Sequence, residues 1–112
     1  MKRIILILML MIGLSTVAQE KKNKNAKFDI EVNGNCGMCK KRIETAAYSV
    51  KGVKSAQWNS EDGVLHLMLN EEKCTLSEVE KAIAKVGHDT KNVKATQADY
   101  DNLHGCCQYE RK

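Results

Sequence analysis

Two hydrophobic periods alternate along this chain, and their order constrains the fold more than any other feature. Phe28, Ile30 and Val32 alternate with Asp29 and Glu31, the period of a half-buried strand. Ile43, Ala46, Ala47 and Val50 then recur at helical spacing, and Lys51-Gly52 ends that segment. Val53 to Asn59 and Val64 to Asn70 read as two strands joined by Ser60-Glu61-Asp62-Gly63, a hairpin signal. Leu65, Leu67 and Leu69 fall on one face of the second, with Val64, His66 and Met68 on the other. Thr75-Leu76-Ser77-Glu78 is a capping box opening a second helix, whose stripe is Leu76, Val79, Ile83 and Val86. Gly87 closes it, and Lys91 to Ala95 can form a short last strand.

The resulting order, β-α-β-β-α-β, predicts an α+β fold of ferredoxin-like type. Two helices would cover one face of a four-stranded antiparallel sheet. A length of 112 residues suits one small domain, expected at residues 28–95. Ahead of it, Lys2 and Arg3, the apolar run Ile4 to Leu14 and the small residues around Ala18 read as a signal peptide over residues 1–18. That run is too short to span about 30 Å of hydrocarbon comfortably, and no Cys follows it to carry a lipid. A mature chain starting near Gln19, periplasmic or secreted and not inserted in a membrane, is the expectation. Residues 19–27 are lysine-rich and non-periodic, a flexible leader. Residues 96–112 form a Cys-containing tail.

Charge narrows the function classes. The net charge is +4, and half of it belongs to Lys2 and Arg3, which leaves no case for nucleic acid. No Ser–His–Asp pattern or phosphate loop is present in the sequence. The chemistry sits in five cysteines. Cys36 and Cys39 lie on a Gly- and Asn-rich loop running into a helix N-terminus, where unpaired N–H groups favour thiolate over thiol. Lys40, Lys41 and Arg42 are expected to add to that effect. Two soft sulfur ligands at this spacing suit Cu(I), Zn(II) or other thiophilic ions. A CxxC pair also serves as a redox dithiol or a structural disulfide. A thioredoxin-like oxidoreductase, however, normally sets a cis-Pro beside its pair, and this chain contains no Pro.

The segment resembles the heavy-metal-associated domain family: copper chaperones, the soluble domains of copper-exporting P-type ATPases and the periplasmic mercury-binding protein. Cys36-x-x-Cys39-Lys-Lys-Arg42-Ile43-Glu44 and Gly52-Val53-Lys-Ser-Ala56 carry the likeness. Met68-Leu-Asn-Glu, Leu76 to Ile83 and Gly87-His88-Asp89 extend it. The resemblance implies a non-enzymatic protein binding one Cu(I) through Cys36 and Cys39. It would pass the ion to a P-type ATPase or other membrane metal transporter, or sequester it. Mercury capture feeding an importer, with Hg(II) on the same ligands, and thiol–disulfide exchange are the alternatives. The family usually has Gly-Met-x-Cys, its Met packed under the metal loop. Here Gly34-Asn35-Cys36 is shorter and lacks that Met, and Met38 is not its equivalent. Lys51 stands where a Pro is common, and His88 where an aromatic residue is common.

Further candidates surround the pair. In this fold His88 falls beside the metal loop, as a third ligand, a donor tuning the thiolates, or a plain turn residue. His66 faces away from the helices and is not expected to be a ligand. In the tail, Leu103 and the tyrosines would pin the chain down, so that His104, Cys106 and Cys107 could supply extra soft ligands or form a disulfide. Adjacent residues of an extended chain face opposite sides, so Cys106 and Cys107 can share one ion only if the backbone turns at Gly105. Cys74 is expected to be an incidental thiol. Lysines 21, 22, 24, 27, 40 and 41 form either a basic rim for an acidic partner or a solvated surface.

Overall fold

In the computed structural model, which describes residues 22–111, the first alternating run forms strand β1, Ala26–Glu31. The expected signal peptide, residues 1–18, lies outside the described residues. β1 starts ahead of Phe28 because Ala26 continues the inward period and is buried. Part of the leader is also tied down. The Asn23 N–H donates to Glu71 Oε1 at 3.0 Å, and the Glu71 N–H donates back to the Asn23 carbonyl at 2.9 Å.

Helix α1 spans Gly37–Tyr48, strands β2 and β3 span Val53–Asn59 and Val64–Leu69, and helix α2 spans Leu76–Lys85. The N-cap half of the expected capping box forms: Thr75 Oγ1 accepts the Glu78 N–H at 3.2 Å. The three strands make an antiparallel sheet in the order β1-β3-β2. Leu65 pairs with Ile30 on one side and Trp58 on the other, and Leu67 pairs with Phe28 and Ala56. This register puts Ile30, Ala56, Trp58, Leu65, Leu67 and Leu69 in one buried layer. Ile43, Ala46 and Ala47 of α1 and Val79 and Ile83 of α2 complete a single core with it. His66 faces out, bonded to Asp29 on the exposed side of the sheet. No helix among the described residues is long and apolar enough to cross a membrane.

The expected fourth strand does not form. Pairing begins where it should, with the Asn33 N–H on the Asp89 carbonyl (2.9 Å) and the Lys91 N–H on the Glu31 carbonyl (3.0 Å). It ends there, as the single bridge Val32–Thr90. Two buried carboxylates explain the stop. Glu80 accepts from Thr90 Oγ1 (2.7 Å), the Asn92 N–H (3.0 Å) and Asn92 Nδ2 (3.1 Å), and Asp89 accepts the Ala95 N–H at 2.7 Å. Amides satisfied by side chains have no need of a neighbouring strand. Among the described residues the sheet is therefore three-stranded.

Beyond it the tail folds back as a short helix α3, Gln97–Asp101, and a 3₁₀ turn, Gly105–Cys107. It crosses the end of α2 at Gly87, where φ is +101°. A Cβ there would lie 2.7 Å from the Asp99 carbonyl oxygen and 2.9 Å from Leu103 Cγ. Gly87→Ala should therefore cost about 1–3 kcal/mol, from the strained backbone angle and the overpacking together. Urea denaturation checks this; a change below about 0.5 kcal/mol, the scale of a neutral surface substitution, would contradict it.

Candidate metal centre

Cys36 is the residue from which α1 starts, in extended conformation at the N-cap. Its side chain makes no close capping bond. Even so, the N–H groups of Cys39 and then Met38 at the open helix end lower its pKa to about 7. The basic residues of the first turn do not set this value as expected. Lys40 Nζ is turned instead to Glu44 and to the Trp58 carbonyl at 3.1 Å. Cys36 Sγ lies 3.8 Å from Cys39 Sγ. Cys36 is half-buried and Cys39 fully buried, so the pair opens to solvent on the Cys36 side.

Trp58 supports this loop from beneath. A Cβ on Gly34 would sit 3.1 Å from the indole ring and equally close to Cys39 Cβ, so glycine lets the loop settle closely onto the ring without displacing either neighbour. The indole Nε1–H donates to the Val32 carbonyl at 2.9 Å, and the Trp58 N–H donates to Glu44 Oε2 at 2.9 Å. Trp58 lies on the inner face of β2, buried together with Ala56. Nothing in the spacing showed that it carries the cysteine loop.

The tail reaches the same loop. The 3₁₀ turn is closed by the Cys107 N–H on the His104 carbonyl at 2.8 Å, and it brings the Cys106 and Cys107 sulfurs to 3.9 Å from each other. The Sγ atoms of Cys36, Cys106 and Cys107 lie within 4.8 Å of one another. Cys36 Sγ also sits 3.7 Å from the Cys106 carbonyl oxygen, and Cys106 Sγ 3.6 Å from Met38 Sδ. Burial, then the adjoining Cys39 thiol, push the Cys107 thiol far above its ordinary range. The cluster thus contains one easily ionised sulfur, Cys36, and one held protonated until something replaces the proton. Cys74 lies elsewhere, buried with Sγ 3.8 Å from the Asn70 carbonyl.

Neither histidine candidate joins the sulfur cluster among the described residues. His104 is an exposed residue at the start of the 3₁₀ turn. His88 is no solvent-exposed turn residue: it is fully buried, and its Nδ1–H donates to the Asn33 carbonyl at 2.8 Å. Its Nε2 is buried without a partner. Burial, reinforced by the Arg42 charge, keeps its pKa below the ordinary value, so the ring is neutral. In this position His88 fixes the loop through Asn33 and stacks on Tyr109 at 5.7 Å between ring centroids.

Tyr109 and Arg111 hold the tail down. Tyr109 Oη accepts the Asp89 N–H at 2.8 Å and donates to the Gly87 carbonyl at 2.9 Å. Arg111 grips Asp89 with two bonds, Nη2 to Oδ1 at 2.8 Å and Nε to Oδ2 at 3.0 Å. Tyr100 donates to the Tyr109 carbonyl and lies under the Arg111 guanidinium, 4.9 Å from ring centroid to Cζ. Asp89 and Arg111 carried no sequence signal of this role, since they are far apart in the chain.

Residues 30–89 match the model of the heavy-metal-associated domain. The copper chaperone CopZ of Staphylococcus aureus (strain bovine RF122 / ET3-1) is 34% identical over 55 residues, 49% of this chain and 81% of that protein. Among solved structures, a CopZ metallochaperone aligns with a TM-score of 0.56 and 32% identity, over 58% of this chain and 98% of that one. The N-terminal domain of a potential copper-translocating P-type ATPase from Bacillus subtilis, in its Cu(I)-loaded state, aligns with a TM-score of 0.57 and 25% identity. That alignment covers 60% of this chain and 85% of the domain.

Proposed function

The chain belongs to the heavy-metal-associated domain family, and on that premise we propose that it captures Cu(I) on Cys36 and Cys39. In this proposal it is a binding protein of the periplasm or cell exterior, not an enzyme, and its partner is a P-type ATPase or other membrane metal transporter. The observation that carries the proposal is the pair itself: two sulfurs 3.8 Å apart at a helix N-terminus, whose N–H groups lower the Cys36 pKa to about 7. Likeness to a copper chaperone and to a Cu(I)-loaded ATPase domain favours copper among the thiophilic ions. The exported setting rests on the pattern of residues 1–18.

Handover needs no redox step. A thiolate of the partner bonds to the Cu(I), one of the two original copper–sulfur bonds breaks, and the released cysteine takes up the proton given up by the incoming thiol. The ion stays monovalent, and a second exchange frees it. An anaerobic Cu(I) titration against a competing chelator tests the assignment. The Cys36→Ser/Cys39→Ser protein should bind more than about 100-fold more weakly, because a hydroxyl is a poor ligand for a soft ion. Native affinity in that variant would overturn the assignment.

A further inference from the structure

The Cys36/Cys39 pair alone does not account for the sulfur at this site. We infer that Cys106 and Cys107 of the tail join Cys36 in a three-sulfur site. This chain then holds a single soft ion in a closed coordination shell instead of an open pair. The inference rests on the reading of Cys36 and Cys39 as the capture site, and extends it to residues outside the matched domain.

Three observations carry it. First, the three Sγ atoms lie within 4.8 Å of one another, all as free thiols. Metal–thiolate bonds of about 2.3 Å set three sulfurs around one ion about 4.0 Å apart, whereas two sulfurs on opposite sides of an ion need about 4.6 Å. The observed Cys106–Cys107 separation of 3.9 Å suits the higher coordination number. Second, the backbone solves the problem of adjacent cysteines. A 3₁₀ turn advances about 120° per residue, so the neighbouring side chains at 106 and 107 can converge where an extended chain would send them apart. Third, the turn is not a loose end. Cys107 and Tyr109 are buried, and Tyr109 and Arg111 are bonded to Gly87 and Asp89 at the end of α2.

Closure changes what the site does. In an open pair the incoming partner thiolate takes the free third position. In the three-sulfur site Cys106 and Cys107 leave no position free, so release requires a copper–sulfur bond to the tail to break, with that cysteine taking the proton given up by the incoming thiol. The ion is retained until the tail is displaced. The protein should therefore hold Cu(I) more tightly and give it up more slowly than a two-cysteine domain.

X-ray absorption spectroscopy of the Cu(I)-loaded protein, prepared anaerobically, should count three sulfur neighbours. Cys106→Ser, at an exposed position that leaves the core intact, should lower Cu(I) affinity at least about tenfold against a chelator, the scale expected for losing an interaction at a metal site. It should also speed release to that chelator. Cys106→Ser/Cys107→Ser should give two sulfur neighbours. Two neighbours in the native protein, with unchanged affinity in both tail variants, would overturn the inference. The capture proposal would survive that result if Cys36→Ser/Cys39→Ser still failed to bind. Native affinity in the latter variant would instead remove the capture proposal itself.

Discussion

Trp58→Ala should destabilise the domain by about 3–5 kcal/mol, the range for deleting a large buried aromatic side chain. Trp58 is 1% exposed and among the largest fully buried side chains. The cavity would open directly under the cysteine loop, where the indole meets Gly34. The Val32 carbonyl would also lose its donor, adding an unsatisfied buried acceptor to the lost packing. For a domain of this size the thermal midpoint should fall by more than about 10 °C. Circular dichroism is the right probe, because Trp58 is the only Trp in the chain. Trp58→Phe keeps most of the volume and loses the hydrogen bond, so it should cost only about 1–3 kcal/mol. The alanine variant, studied where it is still folded, should also bind Cu(I) more weakly because its loop has lost its floor. A loss under about 1 kcal/mol with native affinity would show that the ring does not support the loop.

The periods that predicted β1, α1, the β2–β3 hairpin and α2 are properties of single segments facing one core, and those elements formed. Lys91 to Ala95 failed as a strand for a reason no period reports. The amides of Asn92 and Ala95 are claimed by Glu80 and Asp89, a choice made by tertiary contacts. The cysteine pair was legible because CxxC before an amphipathic helix is a local motif. The ring beneath it was not, because Trp58 reaches Gly34 only once the sheet has formed. The tail shows the same division. Leu103 and the tyrosines were visible as anchors, and Leu103 and Tyr109 are buried. The Arg111–Asp89 pair was invisible, because neither residue belongs to an apolar pattern. Cys106 and Cys107 could be judged only after the turn at Gly105 was known.

Asp89→Asn should release the tail and, with it, part of the site. The Asp89 side chain is 2% exposed, and its carboxylate accepts from Arg111 twice and from the Ala95 N–H. Removing one partner of a buried pair typically costs about 3–5 kcal/mol. Arg111 is 24% exposed and can turn to water, so the lower end, about 3 kcal/mol, is expected. pH should act through the same group. Burial raises the Asp89 pKa, but the hydrogen bonds from Arg111 and Ala95 and the Arg111 charge outweigh it and hold the folded value below the ordinary 3.8. The stabilisation is thus complete above that ordinary value and drains away as pH falls through the lower folded one. The native tail should stay closed at neutral and mildly acidic pH, and an acid titration followed by circular dichroism should show its stability falling below 3.8. In Asp89→Asn that dependence should vanish, and hydrogen exchange at neutral pH should find the amides of Leu103 and Cys107 unprotected. The decisive readout is the metal. Asp89 is not one of the clustered sulfur ligands, yet with tail thiols as ligands its substitution must weaken Cu(I) binding. Adding Cys106→Ser should then cost less than it does alone, because residues acting through one element are not additive. Full additivity would mean that the anchor and the tail sulfurs act separately.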